Sequence, residues 1–152
     1  EMFSAQRGHG AWRDGRRIRV SRRAPLRQCL LATGFSSALL DGGAGRQVRE
    51  QFRRFEDFCL LARGVRRPGA AALDLAYVAA GIFDGFWESS LHAWDIAAGV
   101  VLVEEAGGRV TDNRGRPVDL FGGEIVASNG RIHADMLAVV RRKSRGGDPR
   151  CP

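Results

Sequence analysis

Residues 86–108, Phe-Trp-Glu-Ser-Ser-Leu-His-Ala-Trp-Asp-Ile-Ala-Ala-Gly-Val-Val-Leu-Val-Glu-Glu-Ala-Gly-Gly, restrict the possible folds more than any other stretch of this chain. Asp95 stands directly before an apolar helical run that closes on Gly107 and Gly108. Aspartate suits a helix start because its oxygens accept the unpaired N–H groups there. A double glycine suits a helix end, since glycine reaches the left-handed conformation without steric cost. Apolar residues surround this helix almost completely, so it should lie buried between layers. Glu88 ends a short aromatic run seven residues before Asp95. Two carboxylates held at the edges of rigid elements suit a hard cation or a polyhydroxylated ligand.

Strand and helix signals alternate along the chain, which favours α/β layering. Residues 2–20 are punctuated by Gly8, Gly10 and Asp14-Gly15 and read as two hairpin strands with a turn. Residues 28–33 form a compact apolar run, a buried strand, and 41–45 a loop. From 46 to 62, Val48, Phe52, Phe55 and Cys59 follow helical spacing, a core-facing stripe. Val65 begins a brief strand ended by Pro68; residues 69–80 are an alanine-rich helix and 82–88 a strand. Strands at 109–111 and 124–128 flank a turn-rich loop, and 132–142 form a last helix. One domain over 1–143 is expected, with 144–152 (SRGGDPRCP) having the composition of a disordered tail.

The formal charge of +7 raises the question of nucleic acid, and its distribution answers it. Residues 1–67 carry a net +9 and 131–152 a net +4, but 68–130, which hold the block above, carry −6. A magnesium ion favours that local field and a polyphosphate backbone does not. No nucleic-acid-binding motif accompanies the basic residues, so nucleic acid is not expected as a partner. No apolar run has the length of a membrane span, and no secretory signal pattern is present, so no membrane partner is expected. Cys29, Cys59 and Cys151 lack metal-ligand spacing and read as reduced thiols of a cytoplasmic protein, Cys29 and Cys59 inside apolar stretches.

Taken as residues alone, the candidates keep two readings each. Asp95 is either an N-cap worth about 1 kcal/mol or a cation ligand, and one carboxylate can do both. Glu88 is either an exposed loop acid or a partner for vicinal hydroxyls. Pro68 precedes Gly69–Ala71 at a helix start, whose free N–H groups can meet an anion or hydroxyl. His92 has no visible partner and reads as structural; Trp94 reads as a packing anchor beside the site. Glu104 and Glu105 lie near a helix C-terminus, where negative charge is unfavourable, and suggest arginine partners.

The wording Trp94-Asp95-x-Ala97-Ala98-Gly99 leading into Glu105-Ala106-Gly107-Gly108 resembles the second signature of the inositol monophosphatase family. The likeness extends to EMFSAQRGHGAW at 1–12, ATGFSS at 32–37, GAAAL at 69–73 and ASNG at 127–130, in the family's order. The resemblance implies a layered α/β sandwich of the inositol monophosphatase and sugar phosphatase type, of which this chain would hold the C-terminal portion. It implies that Asp95 binds a catalytic Mg2+, that Glu88 bonds substrate hydroxyls, and that the backbone at Gly69 and Ala71 touches substrate. It also places Ser36 and Ser37 near those hydroxyls. The implied activity is Mg-dependent hydrolysis of a small-molecule phosphate monoester, such as inositol 1-phosphate or another polyol or sugar phosphate. The full-length form would be a homodimer.

The family's first signature, Asp-Pro-Ile-Asp-Gly-Thr, is not in this sequence. The chain therefore reads as the C-terminal half of the enzyme, with no catalytic residue assigned and no meaningful phosphatase activity alone. The alternative is a noncatalytic remnant serving as a protein-interaction or dimerisation module.

Overall fold

The computed structural model describes residues 1–35 and 45–142. Three strands, β1 (Phe3–Gln6), β2 (Gly10–Arg13) and β3 (Arg16–Ile18), form an antiparallel sheet where two strands are expected. The β3 stretch, Arg-Arg-Ile, is too short and too basic to show alternation in sequence. Asp14 and Gly15 both take positive φ, 49° and 74°, and bring Arg13 opposite Arg16. This is the two-residue turn whose backbone twist matches that of the flanking strands.

A 3-10 turn (Leu26–Gln28) leads into β4 (Leu30–Thr33), α1 (Gly45–Leu61), β5 (Gly64–Arg66), α2 (Ala71–Ala79) and β6 (Gly85–Ser89). Then follow α3 (Ala93–Glu105), β7 (Arg109–Thr111), β8 (Glu124–Ser128) and α4 (His133–Val140). The second sheet has the order β5-β4-β6-β8-β7, in which β5, β4 and β6 run parallel, β8 runs antiparallel to β6, and β7 runs antiparallel to β8.

Period-two alternation assigns the two faces of this sheet. Ala32, Phe86, Ile125 and Ala127 face α2 and α3, which separate it from the small sheet. Leu31, Trp87 and Val126 face the other way, onto Phe58 of α1 and Met136 of α4. Glu88 follows Trp87 and so points to the α2–α3 side. Gly99, the last residue of the Trp94–Gly99 motif, allows the close packing of α3 on α2: a Cβ there would collide with Leu75.

Several element boundaries differ from the expectation, among them the start of β4 at Leu30, since Gln28 belongs to the preceding 3-10 turn; three more have a clear local reason. α2 begins at Ala71 and not at 69, because Gly69 turns the chain with φ 88°. β6 begins at Gly85 because the amides of Ile82 and Phe83 donate back to the Tyr77 carbonyl, at 2.9 and 3.2 Å, closing α2. α3 begins at Ala93, so its N-cap is His92 and Asp95 sits in the first turn. There the Asp95 carboxylate accepts the His92 backbone N–H at 2.9 Å.

Nor is α3 enclosed. Ile96, Gly99, Val100, Leu102 and Val103 are buried, whereas Trp94, Ala98 and Glu104 are exposed. An open groove of about 710 Å3 runs beside it, walled by Val100, Val101, Val118 and Leu120. Cys29 is buried, as its apolar setting suggests, but Cys59 is exposed. The turn of the small sheet is tied to α3 by Glu105, whose carboxylate accepts the N–H groups of Gly8 and Gly10, each at 2.7 Å. Glu104 pairs with Arg7 at 3.3 Å, the arginine partner expected for this region. Ser36, Ser37 and the 144–152 tail lie outside the described residues.

Candidate active site

The carboxyl ends of the parallel strands are where open α/β sheets place their ligands. Here β4 delivers Gly34, β5 leads through Arg67 to the start of α2, and β6 delivers Glu88. Together with the start of α3 they enclose an open cleft of about 470 Å3. Gly69, Ala71, Glu88 and Asp95 all line it, so four of the expected site residues converge.

Glu88 is the floor of this cleft. It is 8% exposed, which removes the loop-acid reading. Burial, then the negative charges of Asp74 and Asp95, push its carboxyl up to about 7, with Arg67 pulling the other way. A carboxyl near that value is present in both forms at neutral pH, able to accept from one hydroxyl and donate to another. Its position depends on Gly34, because a Cβ there would run into both Glu88 oxygens.

The start of α2 forms one wall. Ala70 is its N-cap and offers no side-chain bond, so the N–H groups of the first turn have no partner within the helix. Their partial positive charge faces the cleft and complements an oxygen-rich ligand. Behind the wall Asp74 is fully buried with both oxygens unpaired, and burial raises its carboxyl to about 7.

The opposite wall is the start of α3. One oxygen of Asp95 accepts the His92 amide N–H, and the residue also lines the cleft. Trp94 is 78% exposed and is not the packing anchor its type suggests; its ring meets His92 edge-on at 4.5 Å. Among the described residues no three His, Cys, Asp or Glu side chains converge to hold a metal ion. The described part of the chain therefore does not complete a magnesium site; Asp95 offers one isolated carboxylate.

Three contributors escape sequence reasoning. Gly34 carries a weak signal, a glycine directly after a strand. Asp74 sits in an alanine-rich helix with no mark of burial. Arg67 is one of many arginines, and only the fold stacks it on Phe35, 5.6 Å from the ring centroid.

Parallel strands ending on a glycine, a helix start and a buried acid define an α/β protein with a cleft for a polar, oxygen-rich ligand. The model of the inositol monophosphatase family matches residues 1–145. The chain is 44% identical over 141 residues to the Nus factor SuhB of Pseudomonas aeruginosa, covering 93% of this chain and 51% of that protein. It is 43% identical over 142 residues to the inositol-1-monophosphatase of Rhizobium meliloti, covering 93% and 52%. The solved structure of inositol monophosphatase from Anabaena superposes with a TM-score of 0.84 at 40% identity, over 91% of this chain and 53% of that one. The chain belongs to the inositol monophosphatase family. It spans about half the length of the curated relatives it matches.

Proposed function

We propose that this chain carries the alcohol-binding part of a Mg-dependent phosphomonoesterase acting on inositol 1-phosphate or a related polyol or sugar phosphate. The observation that carries this reading is Glu88: a nine-tenths buried acid opening on a cleft beside unpaired helix amides. A carboxyl that lines the cleft in this way is placed to bond a ligand hydroxyl. Asp95 supplies one carboxylate toward the metal, and the Gly69–Ala71 backbone orients the alcohol. Ser36 and Ser37 remain proposed substrate contacts. Magnesium, when bound, would polarise the ester and activate water.

Because the described residues hold a single candidate ligand, the chain alone is expected to show no metal-dependent turnover. Titrating the 15N-labelled chain with inositol 1-phosphate should shift the Gly69–Ala71 amides, and Glu88→Gln should weaken binding about tenfold. Binding unchanged by Glu88→Gln would refute the alcohol site. Phosphatase turnover lost on Asp95→Asn would refute the inactivity of the chain.

A second reading is favoured by the relative from Pseudomonas aeruginosa, whose name is that of a Nus factor. On that reading the chain is a noncatalytic interaction or dimerisation module in the cytoplasm. Self-association, also expected of the full-length enzyme, is read by light scattering during gel filtration. The module reading requires it, or partner binding, to persist when Glu88 and Asp95 are both replaced.

A further inference from the structure

We propose that the hollow between α1 and the ends of β6 and β8 is a second ligand site, taking the zwitterionic headgroup of a free α-amino acid.

The hollow measures about 230 Å3 and is walled by Glu50, Gln51 and Arg54 of α1, by Ser89 and Ser90, and by Glu124 with the two glycines before it. It is distinct from the cleft. Alternation along β6 turns Ser89 to the same face as Trp87, toward α1, whereas Glu88 points to the α2–α3 side. Ser90, where the chain takes φ 67°, borders both spaces.

The walls carry opposite charges that do not meet. Arg54 is anchored by Nε, which donates to the Val140 carbonyl at the end of α4, at 3.2 Å. Its terminal nitrogens reach only Ser89 Oγ at 3.5 Å and Glu50 Oε1 at 3.8 Å, both long for a charged donor. Burial holds the guanidinium below its ordinary pKa, while Glu50, then Glu124, pull it back up. Glu124 is thus near enough to act on Arg54, yet no ion pair joins the two among the described residues. Gln51 adds an acceptor, because its Oε1 is buried with no partner among the described residues. The last torsion of a glutamine is broad, so the amide can turn that oxygen into the hollow when a donor arrives.

A lone anion would satisfy Arg54 and be repelled by two carboxylates. A lone ammonium would satisfy Glu124 and Gln51 and be repelled by Arg54. A carboxylate and an ammonium on one carbon answer both sides at once. The guanidinium grips the carboxylate with paired N–H bonds, and the ammonium donates to Glu124 and Gln51. The hollow has the volume of roughly seven waters, which suits a headgroup of this size.

The test titrates the 15N-labelled 152-residue chain at neutral pH with L-alanine, ethylamine and propionate, which carry both charges, the ammonium alone and the carboxylate alone. L-Alanine should shift the Ser89, Ser90, Gly122 and Gly123 amides and bind at least about fivefold more tightly than either fragment. Glu124→Gln should weaken L-alanine about fivefold and leave propionate unchanged, whereas Arg54→Lys should weaken L-alanine and leave ethylamine unchanged. Glu88→Gln should leave L-alanine binding as it is. Ethylamine or propionate binding as tightly as L-alanine overturns the proposal, since the site would then read one charge only. So does the absence of any shift at the four amides. A loss of L-alanine binding in Glu88→Gln, or shifts confined to Gly69–Ala71, would place the amino acid in the cleft and overturn it equally.

Discussion

The Glu88 carboxylate occupies the space left by the absent side chain of Gly34, at the end of the neighbouring strand. Gly34→Ala should therefore displace the acid or the strand end. Overpacking of this kind costs about 1–3 kcal/mol. Urea denaturation should show that loss, and inositol 1-phosphate binding should weaken as it does in Glu88→Gln. Unaltered stability and binding would mean the acid has another resting place.

Asp74 and Glu88 impose a pH dependence on stability. Burial raises the folded carboxyl of each to about 7, above its unfolded value. The folded chain therefore binds more protons between roughly pH 4 and 7, so stability from these groups is full below about pH 4 and lost as pH rises through about 7. Asp74→Asn should stabilise the chain at about pH 8 by roughly 2–4 kcal/mol, and much less at about pH 4. Urea titrations at the two values decide it; equal effects at both would contradict the assignment.

His133 acts in the opposite sense. It is 1% exposed, with Thr111 Oγ1 at 3.0 Å and Ser128 Oγ at 2.9 Å from its ring nitrogens. Burial, then Arg109 and Arg141, push it down to about 4, so it stays neutral in the fold. The unfolded imidazole takes a proton below about pH 6.5, so this stability is present above that value and lost as pH falls to about 4. Replacing His133 with Asn should flatten the acid limb in the Asp74→Asn background, where the opposing carboxyl contribution is reduced. A slope that persists would assign it to another group.

Ser90 holds a left-handed φ of 67° between Glu88 and the start of α3. Left-handed backbone costs a residue with a Cβ about 1–2 kcal/mol. Ser90→Gly should recover roughly 1 kcal/mol in thermal or urea unfolding, less the entropy glycine adds to the unfolded chain. No gain would show that the serine side chain offsets the strain.

Glu105 is held below its ordinary carboxylate value chiefly by the Gly8 and Gly10 amides. Its stabilisation is therefore present above the unfolded pKa and lost as pH falls through the folded one. Glu105→Ala should lower Tm and speed hydrogen exchange at Gly8 and Gly10. Unchanged exchange there would detach the turn from α3.

Much of the layout is legible because it is local. The glycine-ended helix within 86–108 and the Asp14-Gly15 turn follow from dihedral preference and periodicity within a few residues; the stripe expected on α1 does not hold, because Phe52 and Cys59 are exposed and Phe58 is the residue that packs into the core. Asp95 was less fully legible: its place at a helix start shows in the sequence, but its place in the first turn depends on where His92 stops the extended chain. The exposure of Trp94 was not legible at all, since indole chemistry argues for burial and only the packing of α3 leaves that side open.

By itself the sequence determined the order of elements from β4 onward, the acids Glu88 and Asp95, and the family likeness. Periodicity, turn chemistry and motif wording are properties of neighbouring residues. Tertiary structure alone decided that Glu88 is buried against Gly34, that Asp74 lies unpaired among the described residues, and that the Arg67 guanidinium lies over the Phe35 ring. Each joins groups on different elements, or a side chain to a core it does not adjoin in sequence. Side-by-side alignment of β5, β4 and β6 sets those distances, and no local pattern records them.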